Sequence, residues 1–257
     1  MPKAVIMTLD RIIAVRTEKT VYRDSDRVIK VYYGKNRDSA VFAEALNQSL
    51  AAEAGVCVPK ISGVTDENGK WAIVSEFVEG ETLEQLIEAN IFEIREYMSS
   101  LARIHARVFN KSFNKTADLR AKISEILESA DISGEIKEKL FCRLESIDPG
   151  DNICHGDFMP DNIVITEDGR ACILDWENAS AGPAFADAAN TYLKLCYKYG
   201  EKAARFYLDA VSSLGIDRQK TEDFIPVAAA ALAVRGNLSE REFMNNYFLN
   251  IFSEVKK

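Results

Sequence analysis

The pattern of apolar and polar positions changes character near residue 80. Before that point, short apolar runs recur between turn-type residues: A-V-I-M-T-L at 4–9, R-I-I-A-V at 11–15, K-T-V-Y at 19–22 and, after D-S-D, R-V-I-K-V-Y-Y at 27–33. Period-two spacing with β-branched residues predicts strands. In the last run Val28, Lys30 and Tyr32 share one face, and Ile29, Val31 and Tyr33 the other. A lysine in a strand ordinarily faces solvent. The spacing of Phe42, Leu46 and Leu50 predicts a helix over 39–54 that stops at Gly55. Residues 58–64 and 70–78, separated by D-E-N-G, predict two further strands. Thr82 then reads as a helix N-cap, and helical periodicity dominates over 91–109, 117–131, 133–147, 184–200, 201–214, 221–235 and 239–254. His105 falls on the apolar stripe of the first of these and reads as a packed helix residue. The expectation is an α+β chain with a small lobe over 1–80, mostly antiparallel sheet with one helix, and a larger, mostly helical lobe over 81–257. The stretch 76–83, E-F-V-E-G-E-T-L, is the boundary between them.

One stretch inside the helical half breaks the pattern. I-C-H-G-D-F-M-P-D-N-I-V-I-T-E-D-G-R-A-C-I-L-D-W-E-N-A, residues 153–179, has short apolar runs at 163–165 and 172–174 around an Asp-Gly turn. It predicts a tight β-hairpin. His155, Asp157 and Asn162 precede its first strand and Asp175 follows its second, so the hairpin would gather them. Two carboxylates and an amide are hard oxygen ligands of the kind that suits Mg²⁺ with substrate phosphates. A third carboxylate can instead poise or orient a hydroxyl nucleophile. If Asp157 and Asp175 are both enclosed, a cation or a shared proton is required.

Composition narrows the partners. A formal charge of -8 argues against a nucleic-acid partner, which calls for a basic face. The five cysteines form no CxxC and no His/Cys cluster, which points to free thiols in a reducing compartment rather than a zinc site. The opening M-P-K-A-V-I-M-T-L-D lacks a long apolar core, and no run approaches the ~18 apolar residues of a membrane span, so a cytoplasmic protein with no membrane partner is expected.

H-G-D-F-M-P-D-N-I-V-I followed by I-L-D-W-E-N-A resembles the catalytic core of the aminoglycoside phosphotransferase and choline kinase-like family, within the protein-kinase-like fold. H-G-D rather than H-R-D, and D-W-E rather than D-F-G, turn the likeness toward small-molecule kinases. V-I-K-V with Lys30, F-A-E-A with Glu44, the hinge-like V-S-E-F-V-E-G-E-T-L and L-A-R-I-H extend it over most of the chain. The resemblance implies Mg²⁺-dependent transfer of the γ-phosphoryl group of ATP or GTP to a hydroxyl of a small molecule. It makes Asp157 the catalytic base, supported by His155 and by Asp187 of G-P-A-F-A-D-A-A. Lys30, fixed by Glu44, would neutralise the phosphates; Glu76, Phe77 and Val78 would read the nucleobase; Asn162 and Asp175 would hold the metal.

There are departures from the family pattern. The segment R-T-E-K-T-V-Y-R-D-S-D before Lys30 has no glycine, so Thr17 and Thr20 are expected to supply phosphate donors in place of a Gly-rich loop. No activation segment is recognisable between Asp175 and Ala184, which disfavours the alternative of a protein serine/threonine kinase. The other alternative, an inactive nucleotide-binding or scaffold protein, runs against the joint presence of Lys30, Asp157, Asn162 and Asp175. For the acceptor, Glu177, Asn178, Tyr192 and Tyr247 are candidates, with aminoglycoside, sugar and amino-alcohol hydroxyls all open. An aromatic cage built from Tyr192, Tyr197, Tyr199 and Tyr247 would suit an ammonium such as that of choline, and simple helix packing is the competing explanation of those tyrosines.

Overall fold

The computed structural model describes residues 11–16, 18–33, 37–67, 69–113, 116–235 and 237–254. The strand expected at 4–9 and the phosphate donor expected at Thr17 lie outside them. In chain order come strands β1 (Arg11–Val15), β2 (Lys19–Asp24) and β3 (Arg27–Tyr32), helix α1 (Arg37–Glu53), and strands β4 (Ile61–Glu67), β5 (Lys70–Glu76) and β6 (Glu81–Thr82). Helices α2 (Leu83–Ala89), α3 (Ile94–Phe109), α4 (Leu119–Ser129) and α5 (Gly134–Ser146) follow, then β7 (Asn152–Cys154), β8 (Ile163–Ile165), β9 (Ala171–Ile173) and β10 (Ser180–Gly182). Helices α6 (Ala184–Tyr199), α7 (Glu201–Ser213), α8 (Arg218–Arg235) and α9 (Leu238–Glu254) complete the chain. The chain divides into two compact units: residues up to Thr82 with Ile163–Asn178, and Leu83–Asn162 with Ala179 onward.

In the first unit an antiparallel sheet has the order β1-β2-β3-β5-β4. Its two faces follow the alternation of β3. Ile29 and Val31 pack with Ala72 and Val74 on one side, while Tyr32 packs with Val41 of α1 and Ile73 on the other. Helix α1 covers the helix expected over 39–54, and its apolar spacing does not mark the inward face. Phe42 and Leu46 are about half exposed, with Phe42 edge-on to the Trp71 ring, and the inward face instead carries Val41, Glu44, Asn47, Gln48 and Ala51. The polar members of that face are bonded: Asn47 Nδ2 donates to the Trp176 carbonyl at 3.1 Å and Gln48 Nε2 to that of Pro59 at 2.6 Å. A second small sheet, β6-β8-β9, contains the predicted hairpin, with Ile163 opposite Ile173. Gly80 lies against it so closely that a Cβ there would sit 2.3 Å from the Ile165 carbonyl oxygen.

The second unit is helical apart from the β7/β10 pair. Helix α8 is buried all round from Phe224 to Ala233, as a central helix must be, and contains Pro226. It begins before the expected 221, because Asp217 accepts the Lys220 amide at 3.0 Å and starts the helix at Arg218. Helices α4 and α5 start at side-chain caps, Asp118 and Ser133. No helix among the described residues is long and apolar enough to cross a membrane.

Candidate active site

Two polar constellations stand out, one in each unit. In the first unit the antiparallel pairing of β2 with β3 sets Lys19 opposite Tyr32 and Val21 opposite Lys30. Directly paired residues share a sheet face, so Lys19 and Lys30 both point toward α1. There they meet Glu44, which is fully buried. Lys30 Nζ lies 2.5 Å from Glu44 Oε1 and 3.5 Å from Asp175 Oδ1. Lys19 Nζ lies 2.5 Å from Asp175 Oδ1, 2.8 Å from Glu177 Oε2 and 3.4 Å from Glu44 Oε2. The Tyr32 hydroxyl donates to the same Glu44 Oε2.

Burial alone would depress both ammonium groups. The carboxylates outweigh it: Glu44, Asp175 and Glu177 hold Lys19 above the ordinary lysine range, and Glu44 and Asp175 do the same for Lys30. Burial and the neighbouring Glu44 carboxylate push the Tyr32 phenol up, so it stays a neutral donor. Three carboxylates therefore face two ammonium groups. One oxygen each of Glu44, Asp175 and Glu177 falls within a 4.8 Å set, a hard-oxygen donor set that fits a Mg²⁺ ion. Asp175 sits at φ 62°, in the left-handed region. Aspartate tolerates that region better than most residues, and such backbone concentrates at functional positions.

The other expected nucleotide contacts in this unit fare differently. Thr20 pairs with Val31, whose side chain lies on the sheet face opposite Lys30, so the structure does not bring it to the cluster. The residue that arrives there instead is Lys19. The register of a hairpin closed at D-S-D would have found it, since pairing Asp24 with Arg27 puts Lys19 against Tyr32. Of the hinge-like residues, the Glu76 amide donates to the Lys60 carbonyl at 3.0 Å and the Phe77 amide to that of Asp26 at 2.7 Å. The Arg23 guanidinium stacks on the Phe77 ring with its centre 3.6 Å from the centroid.

In the second unit the H-G-D loop is held by one face of α6. Asp187, in the first turn and almost fully buried, accepts the His155 amide at 2.6 Å and the Gly156 amide at 2.9 Å. Asn190 Nδ2 donates to the Gly156 carbonyl at 2.8 Å, Lys194 Nζ donates to Asp157 Oδ1, and Lys198 Nζ lies 3.7 Å from Asp161 and against Glu84. These residues are spaced by three, four and four, so they form one helix face that tracks the loop residue by residue. Gly156 takes φ 78°, which a side chain would resist.

Asp157 is oriented from both sides. Oδ2 accepts from Asn162 Nδ2 at 3.2 Å, the same amide reaches the Asp157 carbonyl at 2.9 Å, and the Asp157 amide donates to His155 Nδ1 at 3.2 Å. His155 therefore supports the loop as an acceptor. Lys194 lies 3.6 Å from Glu240 as well; burial opposes its charge, but Asp157 and Glu240 hold it above the ordinary lysine range. Below the loop His105 joins Asp187 through Nε2 at 3.0 Å and Tyr207 through Nδ1 at 2.7 Å, stacked on Phe158.

Sequence reasoning missed Lys194, attending only to the tyrosines around it. The 187-190-194-198 spacing was the available signal. Among the acceptor candidates, Glu177 joins the Lys19 cluster. Tyr192 is buried, Tyr197 bonds Ser239 at 2.7 Å, and the Phe243 ring packs with those of both Tyr197 and Tyr247.

A family model described as the phosphotransferase enzyme family matches residues 12–224. No curated protein matches the chain. Among solved structures, a thermostable mutant of aminoglycoside phosphotransferase APH(4)-Ia in its apo form superposes with TM-score 0.69 at 14% identity, over 95% of this chain and 94% of that one. A choline/ethanolamine kinase family protein from Mesorhizobium loti gives 0.67 at 14% identity, over 100% and 92%. The choline kinase LicA from Streptococcus pneumoniae gives 0.67 at 15% identity, over 96% and 92%. At such identity these likenesses establish the fold, a protein-kinase-like α+β architecture. With most of its length matched by the family model, the chain belongs to the phosphotransferase enzyme family.

Proposed function

We propose that the protein transfers the γ-phosphoryl group of ATP or GTP to a hydroxyl of a small molecule, with Asp157 as catalytic base. The observation that carries this reading is the double fixation of the Asp157 carboxylate by Asn162 and Lys194 on a loop latched to α6. A carboxylate held in one orientation can take the proton of an acceptor hydroxyl as its oxygen bonds to phosphorus, while the bond from phosphorus to the bridging oxygen breaks and the nucleoside diphosphate leaves. Lys30, tied to Glu44, would pair with the phosphates. Asp175, with Glu177 beside it, would hold Mg²⁺, which when bound neutralises charge on the phosphate oxygens.

The acceptor we favour is a neutral, sugar-type hydroxyl. Lys194 cancels the charge of the base on which an ammonium next to the reacting hydroxyl would otherwise rely. An acceptor panel of neutral sugars, aminoglycosides and amino-alcohols, read by direct detection of the phosphorylated product, tests the proposal. Neutral sugars should be phosphorylated with the highest kcat/KM. A preference for amino-alcohols would overturn the acceptor assignment, and transfer to no hydroxyl at all would overturn the activity.

A further inference from the structure

Lys19 is the residue of the carboxylate cluster that the proposed chemistry leaves without a task. Its nitrogen lies within 3.4 Å of an oxygen from each of Glu44, Asp175 and Glu177, the three side chains able to supply metal ligands together. An ammonium with three donors directed at three carboxylates fills both the space and the charge demand of a bound cation. The oxygens cannot close on Mg²⁺ at ~2.1 Å while the ammonium stays among them, since two cations would then share one set of ligands. The sheet explains why Lys19 can yield. It is the first residue of β2, next to the strand end, whereas Lys30 is in the middle of β3 and keeps its own contact with Glu44 at 2.5 Å.

We propose that Lys19 is a resident counter-ion of the metal position, exchanged for the metal when nucleotide binds. In the nucleotide-free protein its ammonium neutralises Asp175 and Glu177. The polyphosphate then offers Lys19 a second anionic partner, so that it leaves these oxygens as they are needed for coordination. Metal binding is thus weak alone and strengthened by nucleotide, and the coupling runs through one side chain. This inference rests on the assignment of Asp175 as a metal ligand.

The test is Mn²⁺ binding to the full chain, followed by the electron paramagnetic resonance signal of the free ion, with and without a non-hydrolysable ATP analogue. Without nucleotide, Lys19→Met should bind Mn²⁺ about tenfold more tightly than the parent, a factor within the usual range of coupling between sites. The strengthening by the analogue should shrink correspondingly, and Lys19→Arg, which keeps a cation, should stay close to the parent. Unchanged or weaker Mn²⁺ binding by Lys19→Met without nucleotide would overturn the proposal. Should Lys19→Met fail to fold, Lys19→Gln reads the same difference. Asp175→Asn separates the two levels: if it binds Mn²⁺ with the analogue as tightly as the parent, the metal assignment fails, whatever Lys19 does.

Discussion

His105 is fully buried and hydrogen-bonds Asp187 through Nε2 at 3.0 Å and the Tyr207 hydroxyl through Nδ1 at 2.7 Å. Burial lowers its affinity for a proton more than the Asp187 bond and charge raise it. In the unfolded chain the same imidazole takes up a proton near pH ~6.5. The unfolded state therefore binds more protons below that value, and stability falls as pH drops. Asp187 acts in the same direction at more acid pH. Burial would raise its proton affinity, but the bond and charge of His105 hold it below the ordinary carboxylate range. Melting followed from pH 8 to 5 should show a loss of up to ~1.4 kcal/mol per pH unit from His105 below pH ~6.5. His105→Gln should flatten that slope; an identical slope in the variant would contradict it.

At the scale of elements, the legible parts were those whose signal is local. The strands β2, β3 and β5 follow period-two runs between turn residues, the hairpin β8–β9 follows two short apolar runs around an Asp-Gly turn, and α4 and α5 begin at cap side chains. Helix α1 was legible as a helix but not in its facing. Its apolar positions 42 and 46 stay outside because the inward face is polar and answers to groups far away in sequence, Glu44 to Lys30 and Asn47 to Trp176. No periodicity of the helix itself carries that information. Lys19 and Lys194 were missed for a related reason: a lysine in a strand or a mixed helix reads as solvated until its long-range partner is known. The close approach of Gly80 to β8 gives an element-level prediction. Gly80→Ala would press a Cβ against the Ile165 carbonyl oxygen and Val164 at φ 150°, so it should cost at least about 2 kcal/mol, a fall of roughly 5 °C in Tm. Gly63→Ala, with nothing within 4 Å of its Cβ, should stay within about 0.5 kcal/mol of the parent. Equal melting of the two variants would contradict the packing argument.

For the whole molecule, a single contiguous stretch of sequence, 153–179, contributes to both units. Its first part carries the H-G-D loop in the helical unit, and the hairpin that follows delivers Asp175 and Glu177 to the unit of the sheet. The motif was legible as one stretch of consecutive loop and hairpin residues, but all of it was expected in the helical half, 81–257; its division between the units depends on the pairing of β8 with β6, which no local pattern announces. The identity of the acceptor was not legible, because its candidate residues are scattered over separate helices. The central claim is that Asp157 is the base of a phosphoryl transfer, and one measurement bears on it most directly: single-turnover transfer from γ-labelled ATP with Mg²⁺ to the best acceptor of the panel, for the parent and Asp157→Ala. The account predicts a rate reduced by roughly 10²–10⁴-fold, the usual contribution of a positioned base, with nucleotide affinity retained. Transfer at the parental rate by Asp157→Ala would contradict it.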